Sequence, residues 1–200
     1  MPGGQPRKFC EAYIVFRSNL DRARAFLRLH ATRQKGAPSV DERELPRGAV
    51  EFAIGALDAF LHDLTLEIVP QFGPSSPELA ASLREIAKQD PSLALLVALR
   101  PDEGREEFKR ALDDWLSVKS FYGPEAVVRA AGYIGAAFTW DDMALGATPA
   151  QELSRFTDMR HVIVHRGKKP NIVRQTAQDC VDLVGRIGEA LNAEAVKHYH

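Results

Sequence analysis

The segment spanning residues 46–69 constrains the fold of this chain more than any other. Large apolar residues recur there at three- or four-residue spacing, namely Val50, Ile54, Leu57, Leu61, Leu64 and Ile68. Phe52, Ala53, Ala56 and Phe60 widen this stripe until it covers most of a helix. A helix that is apolar over most of its circumference has to be surrounded by other elements. The segment therefore predicts the central helix of a bundle.

The remaining apolar periodicity is also helical. It predicts helices over residues 10–34, 77–88, 103–121, 124–132 and 171–198, a helix that begins at Pro149 and stops near Gly167, and a further apolar segment over 92–99. Sustained strand alternation and internal repeats are absent from the sequence. We therefore predict an all-α bundle with a core of four to five helices, forming a single domain over residues 9–198. Residues 1–8 are expected to be a disordered N-terminus, and residues 72–147 a helical insertion.

Composition restricts the classes of function. The 200 residues carry a net charge of −1, so RNA binding would need a local basic patch. The Gly- and Pro-rich start is not followed by an apolar run, and no stretch approaches the roughly 20 apolar residues of a membrane span. These features predict a soluble, cytoplasmic protein. A disulfide between Cys10 and Cys180 stays open, although two free core thiols are the simpler expectation.

Segment 158–167 is rich in ionisable residues. It contains one Asp, two Arg and two His among bulky apolar residues. Gly167 predicts a helix end, so this segment forms the last turns of a helix that we expect to be mostly buried. At about 100° per residue, Asp158, His161 and His165 fall in one narrow sector. The prediction is a single polar seam of one acid and two imidazoles.

Arg160 does not lie in that seam. It is roughly 140° from His165 on an ideal helix, on the flank of the apolar stripe. A guanidinium in such a place needs a partner. Its side chain either curls towards the seam, or meets a carboxylate or a second protein chain.

Arg160, the polar His161, three apolar residues and His165 resemble the R-polar-x-x-x-H motif of the HEPN-domain superfamily. The motif helix, the glycine soon after it and the long final helix agree with that resemblance. The apolar helix around residues 57–63 is similar to the RiboL-PSP-HEPN type. The resemblance covers residues 8–70 and 148–196.

The resemblance implies a HEPN-like homodimer and a metal-independent endoribonuclease without cofactors, whose composite site lies where two motif helices meet. It implies a toxin or effector of a toxin–antitoxin, abortive-infection or anti-phage system, with RNA as substrate and a cognate antitoxin protein as a further partner. His165 would be the general acid/base, and Arg160 would bind the phosphate. His161 would support them, and Asp158 and Asp58 would orient an imidazole. Arg166, Lys168 and Lys169 would bind the RNA backbone.

Alternative interpretations remain for the same residues. Asp58 and His62 share a helix face, so they are expected to hydrogen-bond each other or to line the same seam. His161 and His165 have the spacing of a helical zinc pair, with Asp158 as a third ligand and Asp58 or His62 as a fourth, but Val162 stands where the HExxH motif has Glu. Finally, the chain could be a non-catalytic interaction module of a defence system.

Overall fold

The computed structural model describes residues 10–32, 36–89, 105–136, 138–141 and 148–199. These residues form seven helices and no strand. The helices are α1 (Glu11–Ala31), α2 (Val40–Phe72), α3 (Pro77–Gln89), α4 (Arg105–Ser117), α5 (Pro124–Tyr133), α6 (Pro149–Val164) and α7 (Arg174–Tyr199). The all-α prediction is confirmed. The apolar segment 92–99 and the N-terminal residues 1–8 lie outside the described residues.

Helix α2 is the centre of the molecule, as its apolar stripe predicts. It packs against α1, α4, α5, α6 and α7, and α1 and α7 also pack against each other. All six residues of the predicted stripe are buried, whereas Phe52 lies at the surface with 39% of its area exposed. None of the helices described is long and apolar enough to cross a membrane.

The contact between α1 and α7 depends on a glycine. A Cβ atom added to Gly188 would lie 2.2 Å from Cε1 of Phe16, which is far inside van der Waals contact. Phe16 in turn packs on Phe60 of α2, with ring centroids 4.7 Å apart. A residue without a side chain is therefore what lets α7 approach the aromatic centre of the core.

The predicted start of the central helix at Pro46 is wrong. Helix α2 begins six residues earlier, because Ser39 and Glu42 form a capping box in which each side chain accepts from the other's backbone N–H. Pro46 lies inside the helix and is buried. At its other end α2 continues past Pro70 to Phe72. The final helix begins at Arg174, later than predicted, so Val173 is left exposed.

The predicted pair of Asp58 and His62 does not form. Oδ1 of Asp58 accepts a hydrogen bond of 2.6 Å from the backbone N–H of Phe121, between α4 and α5. His62 instead contacts Asp113 of α4 at 3.2 Å and Asp63 at 3.4 Å. A backbone donor in a partly buried loop needs an acceptor, and Asp58 satisfies it. Both residues thus attach the insertion to α2.

The two cysteines are buried and free, as expected. Burial, reinforced by the nearby Glu67 carboxylate, raises the pKa of Cys10 to about 11. Burial likewise raises the pKa of Cys180. Both thiols are therefore part of the core and are poor nucleophiles in the folded protein.

Candidate functional site

The two imidazoles of the predicted motif lie side by side at the C-terminal end of α6. The ring centroids of His161 and His165 are 5.0 Å apart, and the rings are inclined by 38°. His165 is the C-cap residue, and its backbone N–H donates to the carbonyl of His161. The i, i+4 spacing places both rings on one face, as the sequence predicts. Both side chains are exposed and accessible to a substrate.

The expectation that this helix is mostly buried is wrong. Its buried residues are Pro149, Leu153, Phe156 and Thr157, all within its first nine of 16 residues. Further along, Met159, Val162 and Ile163 are half-buried, and Val164 is 42% exposed. The second half of α6 thus presents apolar side chains and two histidines on the surface of a single chain. Helical periodicity identifies an apolar face but not whether a neighbour covers it.

Arg160 points towards the chain's own helices. Its Cζ lies 4.9 Å from the ring centroid of Tyr122, a cation–π contact with the segment before α5. Its Nε is buried and has no hydrogen-bond partner among the residues that the structure describes. The side chain lines a cleft of about 300 Å³ together with Arg22 of α1 and Glu51 of α2. Arg160 neither pairs with a carboxylate in the described part of the chain nor extends alone into solvent.

The turn that follows α6 is basic and is held in place by a buried arginine. Arg47 of α2 is 6% exposed, and its Nε donates to the carbonyl of Pro170 at 2.7 Å. Its Nη2 donates to the carbonyl of Lys169 at 3.1 Å. The backbone N–H of Lys168 returns to the carbonyl of Val162, and Gly167 supplies the left-handed conformation (φ +56°) that this bend requires.

The basic side chains of this turn project outwards. Arg166, Lys168 and Lys169 are all exposed. Nζ of Lys169 lies 3.3 Å from Oε1 of Glu44, so part of its charge is already compensated. Hydrogen bonding by Arg47, and more weakly by Lys169, lowers the pKa of Glu44. Arg166 and Lys168 are therefore the better placed of the three to meet a phosphate backbone.

The two candidate supporting carboxylates do not contact the imidazoles. Asp158 is exposed, and among the described residues it forms no hydrogen bond or ion pair. The carboxylate of Asp58 is engaged by Phe121, as described above. In the described part of the chain, no group of three or more His, Cys, Asp or Glu residues is arranged to hold a metal ion. The zinc alternative, which needs Asp158, His161 and His165 as a set, is not supported.

Two parts of this site were missed by sequence reasoning. Arg47 lies three residues before Val50 and therefore on the same buried face of α2. A charged residue at a position where the helical pattern expects an apolar one could have identified it. The contact of Arg160 with Tyr122 had no sequence signal, because those residues meet only through the packing of the insertion on α2 and α6.

In comparisons with protein-family models, with curated proteins and with solved structures, nothing matches this chain.

Proposed function

We propose that this protein is a metal-independent endoribonuclease of the HEPN type that acts as a homodimer. The observation that carries the proposal is the pair of exposed imidazoles, His161 and His165, 5.0 Å apart at the end of α6 and beside a basic turn. Imidazole titrates near neutrality, so it can take a proton from a ribose 2′-OH and return one to the leaving oxygen. The motif resemblance assigns the same residues to the same chemistry.

In this proposal His165 is the general acid/base and His161 supports it at the scissile phosphate. Attack of the 2′-oxygen on phosphorus breaks the bond to the 5′-oxygen and leaves a 2′,3′-cyclic phosphate. Arg160 binds the phosphorane, whose negative charge grows in the transition state. The Arg160 guanidinium lies over the ring of Tyr122 and forms no ion pair among the described residues, so its charge remains available to a phosphate. Arg166 and Lys168 bind the RNA strand on either side.

The proposed active site is composite, with two copies of α6 meeting through their exposed second halves. Val162, Ile163 and Val164 are more exposed than apolar residues of a packed helix should be, so a second chain would bury them. The same contact brings His161 and His165 of both copies together. A toxin or effector role in defence, with a cognate antitoxin protein, is the biological setting that the resemblance implies.

The test is cleavage of single-stranded RNA by the purified protein in EDTA. We expect wild type to produce 2′,3′-cyclic phosphate ends, and His165→Ala to be slower by about 10²- to 10⁴-fold, as for the loss of a general acid/base. Arg160→Ala should lose about 10²- to 10³-fold. His198→Ala, which removes an exposed histidine paired with Glu194 in the last turn of α7, is the matched control and should cleave like wild type. Equal activity of all four proteins, or no cleavage by wild type, would refute the proposal.

A non-catalytic interaction module is the second candidate, and two observations favour it. Arg160 already forms a cation–π contact with Tyr122, and Asp58 already accepts a hydrogen bond from Phe121. Both side chains therefore have partners within the chain without a substrate. In that case the exposed half of α6 is a binding surface for another protein. The same cleavage assay separates the two candidates, because a binding module shows no activity that depends on His165.

A further inference from the structure

The cleft that contains Arg160 has a composition that suits one nucleotide. Its volume is about 300 Å³, and α1, α2 and α6 all contribute to its walls. The side chains that line it include two guanidinium groups, one carboxylate, one carboxamide and one aromatic ring, from Arg22, Arg160, Glu51, Asn19 and Phe52. A phosphate, a sugar and a base each find a chemically suitable partner in this set.

The cationic groups of the cleft are not neutralised within the described part of the chain. Arg160 stacks on Tyr122 but forms no ion pair, and its buried Nε has no acceptor. Arg22 is exposed and has no carboxylate within ion-pair distance, although Glu51 lines the same cleft. An unpaired buried donor is unfavourable. A phosphate group bound between the two arginines would compensate their positive charge.

The aromatic ring of the cleft is available for stacking. Phe52 lies on helix α2 outside its buried stripe, and 39% of its area is exposed. Phe26 of α1 packs against it with ring centroids 5.4 Å apart, so the ring is supported on one side and open on the other. Gly55, which has no side chain, and Ala56, which has only a methyl group, also line the cleft and leave room for a planar base. Single-stranded RNA is commonly bound by stacking of its bases on rings exposed in this way.

We propose that this cleft is a nucleotide subsite for single-stranded RNA, next to the proposed cleavage site. The base stacks on Phe52, its phosphate is bound by Arg22 and Arg160, and Glu51 and Asn19 hydrogen-bond the N–H and O–H groups of the base and ribose. The role of Arg160 at the scissile phosphate is part of the proposed function, on which this inference rests. The contributions of Phe52, Arg22, Glu51 and Asn19 go beyond it.

The test is equilibrium binding of a fluorescein-labelled 2′-O-methyl oligonucleotide, which has no 2′-OH nucleophile and therefore stays intact. We expect Phe52→Leu to bind about 5- to 100-fold more weakly, as for the loss of one base–aromatic stack. Phe52→Trp should retain the affinity of wild type. The matched control is Phe72→Leu, because Phe72 is similarly exposed (43%) but lies at the far end of α2 against Tyr199. Thermal unfolding of each variant checks that the fold is intact.

Arg22 provides an electrostatic test of the same cleft. Arg22→Gln should weaken binding and reduce the slope of log affinity against log salt by about 0.7, the value for one single-strand phosphate contact. Arg28→Gln, an exposed arginine of the same helix, is the control and should leave binding unchanged. If Phe52→Leu and Arg22→Gln bind like their controls, the subsite does not exist. A protein that binds inorganic phosphate but does not bind the oligonucleotide would equally overturn the proposal.

The two proposals fail in different ways. Binding that depends on Phe52, together with no cleavage of ordinary RNA by wild type, supports the subsite and refutes the ribonuclease. Cleavage that depends on His165 but is unaffected by Phe52→Leu supports the ribonuclease and refutes the subsite.

Discussion

At the scale of single residues, Gly188 is a position where adding one methyl group should destabilise the fold. Its α-hydrogens face the ring of Phe16, and a Cβ there would stand 2.2 Å from the nearest ring carbon and 2.7 Å from the next. The ring is itself fixed between Tyr13 and Phe60, so it has little room to yield. Gly188 and Phe16 lie where α7 packs against α1, and this contact has to be close for the core to be well packed.

We therefore expect Gly188→Ala to lower the free energy of unfolding by about 1–3 kcal/mol, the usual cost of overpacking a core. Urea unfolding followed by circular dichroism measures this. Gly55→Ala is the control, since Gly55 is also inside a helix but no atom lies within 4 Å of the added Cβ. It should be neutral or stabilise by up to about 1 kcal/mol, because alanine is the better helix former. Equal effects of the two substitutions would contradict the packing described for α1 and α7.

At the scale of elements, the end of α6 is positioned by α2 through Arg47. Two backbone carbonyls, those of Lys169 and Pro170, accept from one buried guanidinium, which also binds Glu44 at 2.8 Å. The basic turn that follows His165 is therefore set by a helix far away in sequence. The helix end and the turn should move together when this anchor is removed.

Replacing Arg47 by Met is expected to destabilise the fold by about 1.5–3 kcal/mol, the range for hydrogen bonds to a charged group. Trypsin should then cleave after Arg166 and Lys168 faster than in wild type, because the turn loses its anchor. Arg47→Lys should recover part of the loss, since one ammonium cannot reproduce the guanidinium's geometry. Unchanged proteolysis of the Met variant would show that the turn is held by other contacts.

The ion pair of Arg47 with Glu44 makes the stability of the fold depend on pH. The direction of this dependence follows from the lowered pKa of Glu44. A carboxyl group with a pKa lower in the folded state stabilises the protein above its unfolded pKa, near 4.5. That contribution is lost as the pH falls through the folded pKa. Because the Glu44 side chain is 42% exposed, its effect is small, below about 1 kcal/mol. Any difference between Arg47 variants that arises from Glu44 should therefore be present at neutral pH and diminish as the pH falls through the lowered folded-state pKa.

At the scale of the whole molecule, the proposed function requires two chains. Val164 stands at the end of α6 with 42% of its area exposed, inside the surface where the second copy would pack. Val164→Glu should convert a dimer into a monomer and abolish RNA cleavage, because a carboxylate buried at an apolar contact has no partner. Light scattering coupled to size exclusion gives the mass.

Val118→Glu is the control for this experiment. Val118 is 80% exposed just after α4, away from α6 in the sequence, and its replacement should leave both mass and activity unchanged. A wild-type protein that is monomeric at working concentration, yet cleaves RNA, would show that the active site is complete within one chain.

Much of the architecture could be predicted from residue periodicity. The central place of α2, the buried stripes of α1 and α7 and the spacing of His161 and His165 depend on neighbours a few residues apart in sequence. Local rules were less reliable at element ends. The sequence pattern predicts a helix start at Pro46, whereas the capping box of Ser39 and Glu42 begins the helix six residues earlier.

The sequence by itself determined the all-α class, the core helix and the histidine pair, because each follows from periods of three to four residues along one helix. Only the tertiary structure decided where the displaced Arg160 goes, which donor the Asp58 carboxylate accepts from, and what anchors the basic turn. Arg47 and Pro170 are 123 residues apart, and Phe121 is 63 residues from Asp58. Such partners are selected by how the helices pack against one another, and the spacing of residues within one helix carries no information about that packing.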